Sequence, residues 1–541
     1  MRGWLTAIFL TAWTLLMGAC GEVEDSGGSG FEGGYELAGE AEGVSLRSLT
    51  LNQGVEVTLI RNGFYLEPEQ RNAPLVADRA GRARLELDAH EGSPLEPVLA
   101  RIRLLNPGQP EHIYERVLEP SPDTPLAVEV WIEAEALQPE TELVVELWTV
   151  APASTLDTGR TSDSAGVREP DRTLTTPTVA IEDADELDVD VVTQWRNDSR
   201  EPLWVHPADL GLRVVLVPFV SAWSGCERMA PAADLRLDAR DALMAFNPVA
   251  EVHVEVREHP LVVETKPEHL ADLFPALQAA RDADGVAPNT YYYGLLDACA
   301  GSIAGYGGLA FRAAVGPEPE DAWQRVAIGL NWSSNRAYTL KTLVHELGHL
   351  QGRHHVACSG RDGTRALDPD PSYPHAEGTI GVAGLNIVTG TDHSAESSHD
   401  YMSYCYDSHW VSDWTWAKTF ERIEILSAWD HAEPLPDTSR VPTTLLVGMV
   451  DEQGGQRWWT RSGQAGDAER LARQATLHHG STTLLGGREV LAEGEGELLI
   501  FALPPELALA PELLEGALLD YSIGGAGGGG SPKQTPISRI M

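Results

Sequence analysis

Residues 345–355 read His-Glu-Leu-Gly-His-Leu-Gln-Gly-Arg-His-His, and this stretch predicts both a helix and a metal site. At 3.6 residues per turn, His345 and His349 lie on one face of a helix, so both imidazoles can bind a single ion. Gly352 can adopt a positive φ, which ends the helix and turns the chain so that His355 becomes a third ligand. Three neutral imidazoles leave one tetrahedral position open, the arrangement of a catalytic rather than a structural zinc site.

Glu346 follows the first histidine and is the predicted general base. Its position lets the carboxylate reach a water molecule on the open side of the metal rather than the ion itself. Residues 325–330 have the composition of a buried strand, and the apolar residues of 338–350 recur at helical spacing. A strand followed by a ligand-bearing helix is a rigid frame for such a site.

A second motif, Asp-Tyr-Met-Ser-Tyr-Cys, occupies residues 400–405. With both motifs the chain resembles the metzincin zinc endopeptidases, whose extended histidine signature is followed by a methionine-containing turn beneath the metal. The sequence around Met402 is most similar to that of pappalysin-like and other secreted bacterial metzincins. The resemblance covers residues 205–430 and is specific at the two motifs only. It implies that Met402 lies under the zinc-binding imidazoles and that Tyr404 approaches the metal or stabilises an oxyanion.

The resemblance implies a zinc-dependent endopeptidase that hydrolyses peptide bonds of extracellular proteins or glycoproteins. In this hypothesis Glu346 takes a proton from the attacking water and passes it to the leaving amine. One alternative is a non-catalytic surface lipoprotein that binds protein or glycoprotein, and another is a hydrolase of non-peptide bonds. The complete ligand set together with Glu346 favours the peptidase, because a binding-only descendant would be free to lose the base.

The N-terminal residues predict export. Arg2 precedes an apolar run over residues 4–17, which is too short for an ordinary transmembrane helix and is typical of a signal peptide. Residues 17–20 read Met-Gly-Ala-Cys and resemble a bacterial lipobox, which would make Cys20 the lipidated first residue of the mature chain. A plain signal peptide cut nearby is the alternative. Because glycine follows Cys20, we expect a lipoprotein of the cell envelope, at the outer membrane or cell surface or released from it.

The chain is strongly acidic, with 81 Asp and Glu against 39 Lys and Arg and a formal net charge of −42. Such a surface excludes nucleic acid as an expected partner and keeps the protein soluble. We therefore expect a protein or glycoprotein substrate, and contact with a membrane only through the lipid anchor.

Four cysteines remain besides Cys20, and an even count in an exported protein indicates disulfides, for which three pairings are open. One cysteine closely follows the third histidine and another closely follows the methionine of the turn. If the resemblance holds and both segments surround one metal, Cys358 pairs with Cys405, and Cys226 then pairs with Cys299. The competing hypothesis is a Cys226 thiolate that caps the zinc in a latent form, although its neighbours do not match the switch motif of relatives that use one.

The length of 541 residues exceeds a single core and predicts a multidomain protein. The expected order is a signal peptide with lipobox at 1–20, a flexible linker at 21–43, a β-sandwich plus linker at 44–178, an α+β zincin (metzincin-like) catalytic domain at 205–435, a small β-rich domain at 436–523 and a disordered tail at 524–541. Residues 179–207 are either the last strand of the first domain or the approach to the next.

Metzincins bind extended substrate by backbone pairing with an edge strand above the active-site helix. Residues 291–296 and the Gly-rich residues 304–309 are the two candidates for this edge, and a core strand followed by a turn is the plain alternative.

Acids and histidines between the two motifs offer ligands for a structural calcium ion. No loop spacing specifies such a site, so solvated loop residues are the default. The residues concerned are Asp362, Asp368, Asp370, His375, Asp392, His393 and His399.

Overall fold

The computed structural model describes residues 35–90, 96–119, 126–152, 193–197, 199–207, 210–297, 299, 303, 305–310, 319–358, 369–405, 408–428, 442–451, 454–464, 466–469, 471, 473–490, 496–521 and 533–540. The signal peptide with Cys20 lies outside the described residues, and so do residues 153–178 of the linker predicted at 151–178, whose first two residues belong to the strand Glu142–Pro152. Within them the chain is rich in strands and forms several sheets, as predicted for a multidomain β-rich protein. A search of the described helices finds none with the length and apolar character needed to cross a bilayer.

The N-terminal domain consists of two five-stranded sheets that share one apolar core. Alternate residues of its strands point inward. In Gly81–Ala89, every second residue from 81 to 87 is buried, and the last two residues are exposed. One sheet has the order Phe64–Tyr65, Glu56–Arg61, Val44–Asn52, Gly81–Ala89, Leu126–Ile132, and the other has the order Tyr35–Glu40, Glu142–Pro152, Val98–Leu105, His112–Leu118, with Glu201–Pro202 also pairing with Glu142–Pro152.

The linker expected at residues 21–43 is partly a strand, which corrects that prediction. Tyr35–Glu40 pairs antiparallel with Glu142–Pro152. Tyr35–Glu40 is ordered because it pairs with a strand far away in the sequence. Local composition alone does not reveal such a pairing. The two short strands Glu201–Pro202 and Val205–His206 likewise pair with N-terminal strands, so the described part of residues 179–207 completes the first domain.

The central domain is built on a mixed sheet of seven strands. Its middle strands are buried along their whole length because helices cover both faces, which explains their continuous apolar runs. The parallel strands lie in the order Glu251–Val256, Gly211–Trp223, Thr290–Leu296 and Val326–Leu330, with Gly308–Ala310 antiparallel at the last edge and Cys226–Met229 and Leu261–Val263 beside the far half of Gly211–Trp223.

Helices of the central domain lie at Ala232–Phe246, Phe274–Asp284, Arg336–Leu350 and Asp413–Ala428, with 3-10 turns at Leu270–Leu273 and Pro319–Gln324. Arg336–Leu350 matches the helical spacing of residues 338–350 to within two residues, whereas Ala232–Phe246 was not predicted. Two small pairs of strands join Gly384–Asn386 to Thr391–His393 and His399–Asp400 to His409–Trp410.

The C-terminal domain is one antiparallel sheet of seven strands. It is longer than the predicted 436–523, because Lys533–Pro536 pairs with Leu518–Tyr521. The prediction of a disordered tail at 524–541 is therefore wrong for the part of that tail that the structure describes. The strands lie in the order Gln456–Gln464, Pro442–Val450, Glu497–Leu503, Thr482–Val490, Arg473–His479, Leu518–Tyr521, Lys533–Pro536, with short helices at Gly466–Glu469, Pro505–Ala508 and Pro511–Leu514.

The C-terminal sheet docks on the central domain through directed polar contacts. Arg457 Nε donates to Asp272 Oδ1 at 2.6 Å, and Trp459 Nε1 donates to Gln278 Oε1 at 3.0 Å. The indole of Trp459 is buried in the same apolar core as the central domain. The two domains therefore pack against each other and share an apolar core.

His269, beside this junction, predicts a pH dependence of stability. Its Nδ1 accepts a hydrogen bond from Ala271 N at 3.1 Å, and burial lowers its pKa from 6.5 to about 4. The folded state thus prefers the neutral ring, so its contribution is fully present above pH 6.5 and is lost as the pH falls through about 4. We expect the free energy of unfolding to drop by about 1 kcal/mol per pH unit across this window.

The variant His269→Asn separates this effect from general acid denaturation. Its amide oxygen can keep the bond from Ala271 N but cannot titrate in this range. Thermal unfolding at pH 7 and pH 5 should show a smaller loss in the variant than in the parent. Equal losses in both proteins would show that His269 is not responsible.

Candidate metal centre

The histidine helix, Arg336–Leu350, is defined at both ends by local chemistry. At its start the side chain of Asn335 accepts a hydrogen bond from Tyr338 N at 3.1 Å. Beyond its end Gly352 has φ +80°, and Arg353 N donates to Gly348 O at 2.9 Å. The predicted glycine turn is thus present, and it brings the following residues back toward the helix.

Three histidines meet where the chain returns. A nitrogen of each ring of His345, His349 and His355 lies within 4.8 Å of the other two, and all three residues are buried. The Nε2 atoms of His345 and His349 are 3.2 Å apart. The set predicted from the sequence is therefore assembled in one place, and it could hold a metal ion.

Backbone carbonyls set the tautomers of two of these rings. His345 Nδ1 lies 2.9 Å from Tyr401 O, and His349 Nδ1 lies 2.7 Å from Arg353 O. A carbonyl oxygen only accepts, so each Nδ1 must carry the proton and each neutral ring turns a bare Nε2 toward the other. Two lone pairs 3.2 Å apart repel unless a cation, either a shared proton or a metal ion, lies between them. Such carbonyl partners are the usual outer contacts of metal-binding histidines.

A second group of metal-ligating residue types, Cys358, His399 and Cys405, lies close by. Its two cysteines are joined in a disulfide, so neither offers a thiolate. Among the residues that the structure describes, the histidine trio is therefore the better metal site.

The methionine loop, residues 400–405, lies against the histidine helix. The buried carboxylate of Asp400 fixes it by accepting hydrogen bonds from Met402 N at 2.9 Å and from Ser412 N at 3.1 Å. Burial raises the pKa of Asp400, and these hydrogen bonds act in the opposite direction. Met402 is fully buried, and its sulfur packs so close to Gly348 that a β-carbon there would clash with it. Met402 therefore packs against the histidine helix, and its place beneath the metal-binding rings stays a prediction.

Tyr404 reaches the third histidine. Its hydroxyl lies 2.9 Å from His355 Nε2, and the two ring centroids are 4.6 Å apart. Val356 N also donates to Met402 O at 3.0 Å, so the segment after the helix and the methionine loop run side by side. This pairing is what brings Tyr404 to the site.

Glu346 lies between the histidines and the edge strand, Gly308–Ala310. The glutamate is 2% exposed, and its carboxylate packs so tightly on Gly308 that a β-carbon there would clash with it. Of the two candidate edges, Gly308–Ala310 ends the sheet, whereas Thr290–Leu296 lies inside it between two parallel strands. The alternative that residues 291–296 form the edge is therefore wrong.

A cleft of about 310 Å³ opens between the edge strand and the histidine helix. Glycines on one wall and polar or aromatic side chains on the other leave it accessible to an extended chain. Its residues are Gly305, Tyr306, Gly307, Gly308, Tyr338, Lys341, Thr342, His345, Glu346, Ser403 and Tyr404.

Both disulfides pair as predicted, Cys226 with Cys299 and Cys358 with Cys405, each with a Cα–Cα distance of 5.7 Å. The second one ties the segment after His355 to the methionine loop. The first one leaves Cys226 without a thiolate, which excludes the hypothesis that this cysteine caps the metal.

The other candidate ligands of the loop region do not form a calcium site within the described residues. His375 Nε2 lies 2.7 Å from Asp413 Oδ1, Asp392 pairs with Arg82, and Asp370 Oδ1 accepts from Ser372 N at 2.8 Å. Asp362 and Asp368 lie outside the described residues, and His393 stacks on Trp410.

Two functional candidates went unnoticed in the sequence. Asp400 stands directly before the tyrosine and methionine of the second motif, where an acid can cap the turn. Lys341 precedes His345 by one helical turn and so shares its face, and it is one of only four lysines in the chain.

The chain matches neither the protein-family models nor the curated proteins with which it was compared. Its function must therefore be inferred from its own site.

Proposed function

We propose that this chain is an exported zinc-dependent endopeptidase of metzincin type that acts on extracellular proteins or glycoproteins. The observation that carries the proposal is the pair of histidines whose Nδ1 atoms face carbonyl oxygens while their Nε2 atoms face each other 3.2 Å apart. This arrangement, with Glu346 beside it in an open cleft, suits a catalytic rather than a structural metal.

His345, His349 and His355 would hold the ion, and the donor set of three neutral imidazoles fits zinc. A bound zinc ion would act as a Lewis acid that makes water more acidic and polarises a peptide carbonyl. The two outer carbonyls keep the rings in the metal-binding tautomer, and the packing of Met402 on Gly348 holds the histidine helix against its floor.

Glu346 would remove a proton from the attacking water and return it to the leaving nitrogen. Its burial against Gly308 keeps the carboxylate in one place, so little reorganisation is needed during the reaction. The Tyr404 hydroxyl, 2.9 Å from His355 Nε2, is the group proposed to stabilise the developing oxyanion.

Substrate would lie along the edge strand. One side of Gly308–Ala310 pairs with Val326–Leu330, and the strand is the last of its sheet. An extended peptide added to its outer side would run past Glu346 and the histidines. Backbone pairing of this kind recognises peptides in general, which favours an endopeptidase over a hydrolase of non-peptide bonds.

Two disulfides agree with an oxidising compartment, and they support the proposed export. Lipidation at Cys20 and display at the outer membrane or cell surface remain part of the proposal on the sequence alone.

Metal removal tests the peptidase directly. Purified protein should contain about one zinc per chain and should digest casein or gelatin. Treatment with 1,10-phenanthroline should abolish cleavage, and added zinc should restore it, because chelation removes the ion that the three histidines hold. Zinc binding without cleavage of any protein would instead favour the surface-binding alternative.

A further inference from the structure

Lys341 places a positive charge in the cleft next to the proposed catalytic site. It lies on the histidine helix one turn before His345, and both residues line the cleft. Its Nζ lies 3.2 Å from His409 Nε2, and the side chain is partly buried. The ammonium donates this bond, so His409 must accept it with a bare Nε2.

No carboxylate within the described residues forms an ion pair with Lys341. Burial lowers the pKa of Lys341. The contrast with Lys418 is informative, since that lysine is exposed and pairs with Glu421 at 2.9 Å. In a chain with 81 acidic residues, a partly buried cation with no anionic partner in the described part of the chain is unusual, because desolvation costs free energy that a partner would offset.

The rest of the cleft suits an anionic group of modest size. Glycines at 305, 307 and 308 form one wall, and the hydroxyl-bearing residues Tyr338 and Thr342 stand on the wall that carries Lys341. Glu346, which belongs to the histidine helix, is the acidic residue among those that line the cleft. Its carboxylate packs against Gly308, which belongs to the opposite wall. An incoming carboxylate would therefore find the Lys341 ammonium on the helix wall, where the Thr342 hydroxyl already donates to Tyr338 O at 3.0 Å.

We infer that the cleft recognises a peptide carboxylate, with Lys341 as its counter-ion. The separation of one helical turn corresponds to about 6 Å along the axis. An extended peptide advances about 3.3 Å per residue. The recognised carboxylate, from an Asp or Glu side chain or from the peptide C-terminus, would thus lie within about two positions of the bond that is cut. This inference rests on the proposed function, because it names the substrate class of the same site.

Paired peptides measure this preference in turnover. Each pair differs by Glu or Gln at one position around the scissile bond, and each is made with a free and with an amidated C-terminus. We expect kcat/KM to be about tenfold higher for Glu than for Gln, because a charge-assisted hydrogen bond contributes about 1.5 kcal/mol. The Glu-to-Gln ratio should fall to about one in Lys341→Met and below one in Lys341→Glu.

Lys418→Met is the matched control, since it removes an exposed lysine that does not line the cleft and should leave the ratio at its parent value. Preference for a free over an amidated C-terminus would assign the carboxylate to the chain end. Preference for internal Glu would assign it to a side chain. A parent enzyme that cuts both members of every pair equally, or a ratio unchanged in Lys341→Met, would overturn the inference and leave the peptidase proposal intact.

A binding experiment keeps the inference testable if the protein cuts nothing. Zinc-loaded Glu346→Gln protein, immobilised, would be exposed to the mixed Glu and Gln peptides, and the retained peptides counted by mass spectrometry. Enrichment of the carboxylate-bearing peptides that disappears with the added change Lys341→Met supports carboxylate recognition without any turnover. Equal retention of Glu and Gln peptides would contradict it.

Discussion

Replacing Glu346 by glutamine should reduce peptide hydrolysis by about 10³-fold while leaving the metal bound. General bases contribute on the order of 10²- to 10⁴-fold, and the amide of glutamine cannot accept a proton from water at neutral pH. The metal should stay because its proposed ligands are the three histidines, whose rings are held by Tyr401 O and Arg353 O rather than by Glu346. The similar shape of glutamine should also preserve the packing on Gly308.

Two measurements decide this prediction together. Turnover of a fluorescent casein gives the loss of activity, and metal analysis of the same sample gives the zinc content. Glu421→Gln, an exposed change on another helix, serves as the control and should keep parental activity. A Glu346→Gln enzyme that digests casein at the parental rate would show that another group is the base. Loss of zinc in that variant would mean that the glutamate supports the metal instead.

The candidate site was largely accessible from sequence because its ligands are close together along the chain. Helical spacing places His345 and His349 on one face, and Gly352 supplies the turn that the third ligand needs. The outer partners were not accessible. Tyr401 O and Arg353 O are backbone atoms. Since every residue has a backbone carbonyl, the sequence does not show which one will face an imidazole.

The fold was predictable where a segment carries its own pattern. Residues 325–330 are a largely apolar run that predicts a buried strand, and the strand Val326–Leu330 lies within a residue of those bounds. Short strands ordered by a distant partner were not predictable. Tyr35–Glu40 and Lys533–Pro536 lie in Gly-rich surroundings, and their pairing depends on strands far away in the sequence.

The sequence left the two candidate edges open for a related reason. Thr290–Leu296 and Gly308–Ala310 are both fully buried, so burial and composition do not separate an interior strand from an edge. Only the order of strands in the sheet does so, and that order is a property of the assembled domain.

Replacing Arg79 by methionine should destabilise the N-terminal and central domains together, by about 3 kcal/mol. Arg79 is fully buried and donates to Gln53 O at 2.6 Å, Met244 O at 2.8 Å and Val249 O at 2.9 Å. Burial lowers its pKa to about 9. Methionine fills part of the space but leaves these carbonyls without a donor, and each buried unsatisfied carbonyl costs about 1 kcal/mol or more.

Thermal unfolding and hydrogen exchange measure this loss. The melting temperature should fall, and protection should decrease on both sides of the junction, around Gln53 and around Val249. Arg47→Met is the control, because Arg47 forms an exposed ion pair with Glu86, and its loss should cost less than 1 kcal/mol. An unchanged melting temperature in Arg79→Met would mean that the junction contributes little to stability.

The same junction bears on whether the N-terminal domain is a removable pro-region. Trp410 Nε1 donates to Gly54 O at 2.7 Å, and Trp410 belongs to the strand that pairs with Asp400 beneath the methionine loop. Trp416 donates to Pro74 O at 3.2 Å and lies under the guanidinium of Arg79. Release of the domain would expose both indoles and leave Asp400 with a less rigid neighbour. We therefore expect the active protein to keep its N-terminal domain, and Arg79→Met to lower activity at temperatures where the junction begins to open.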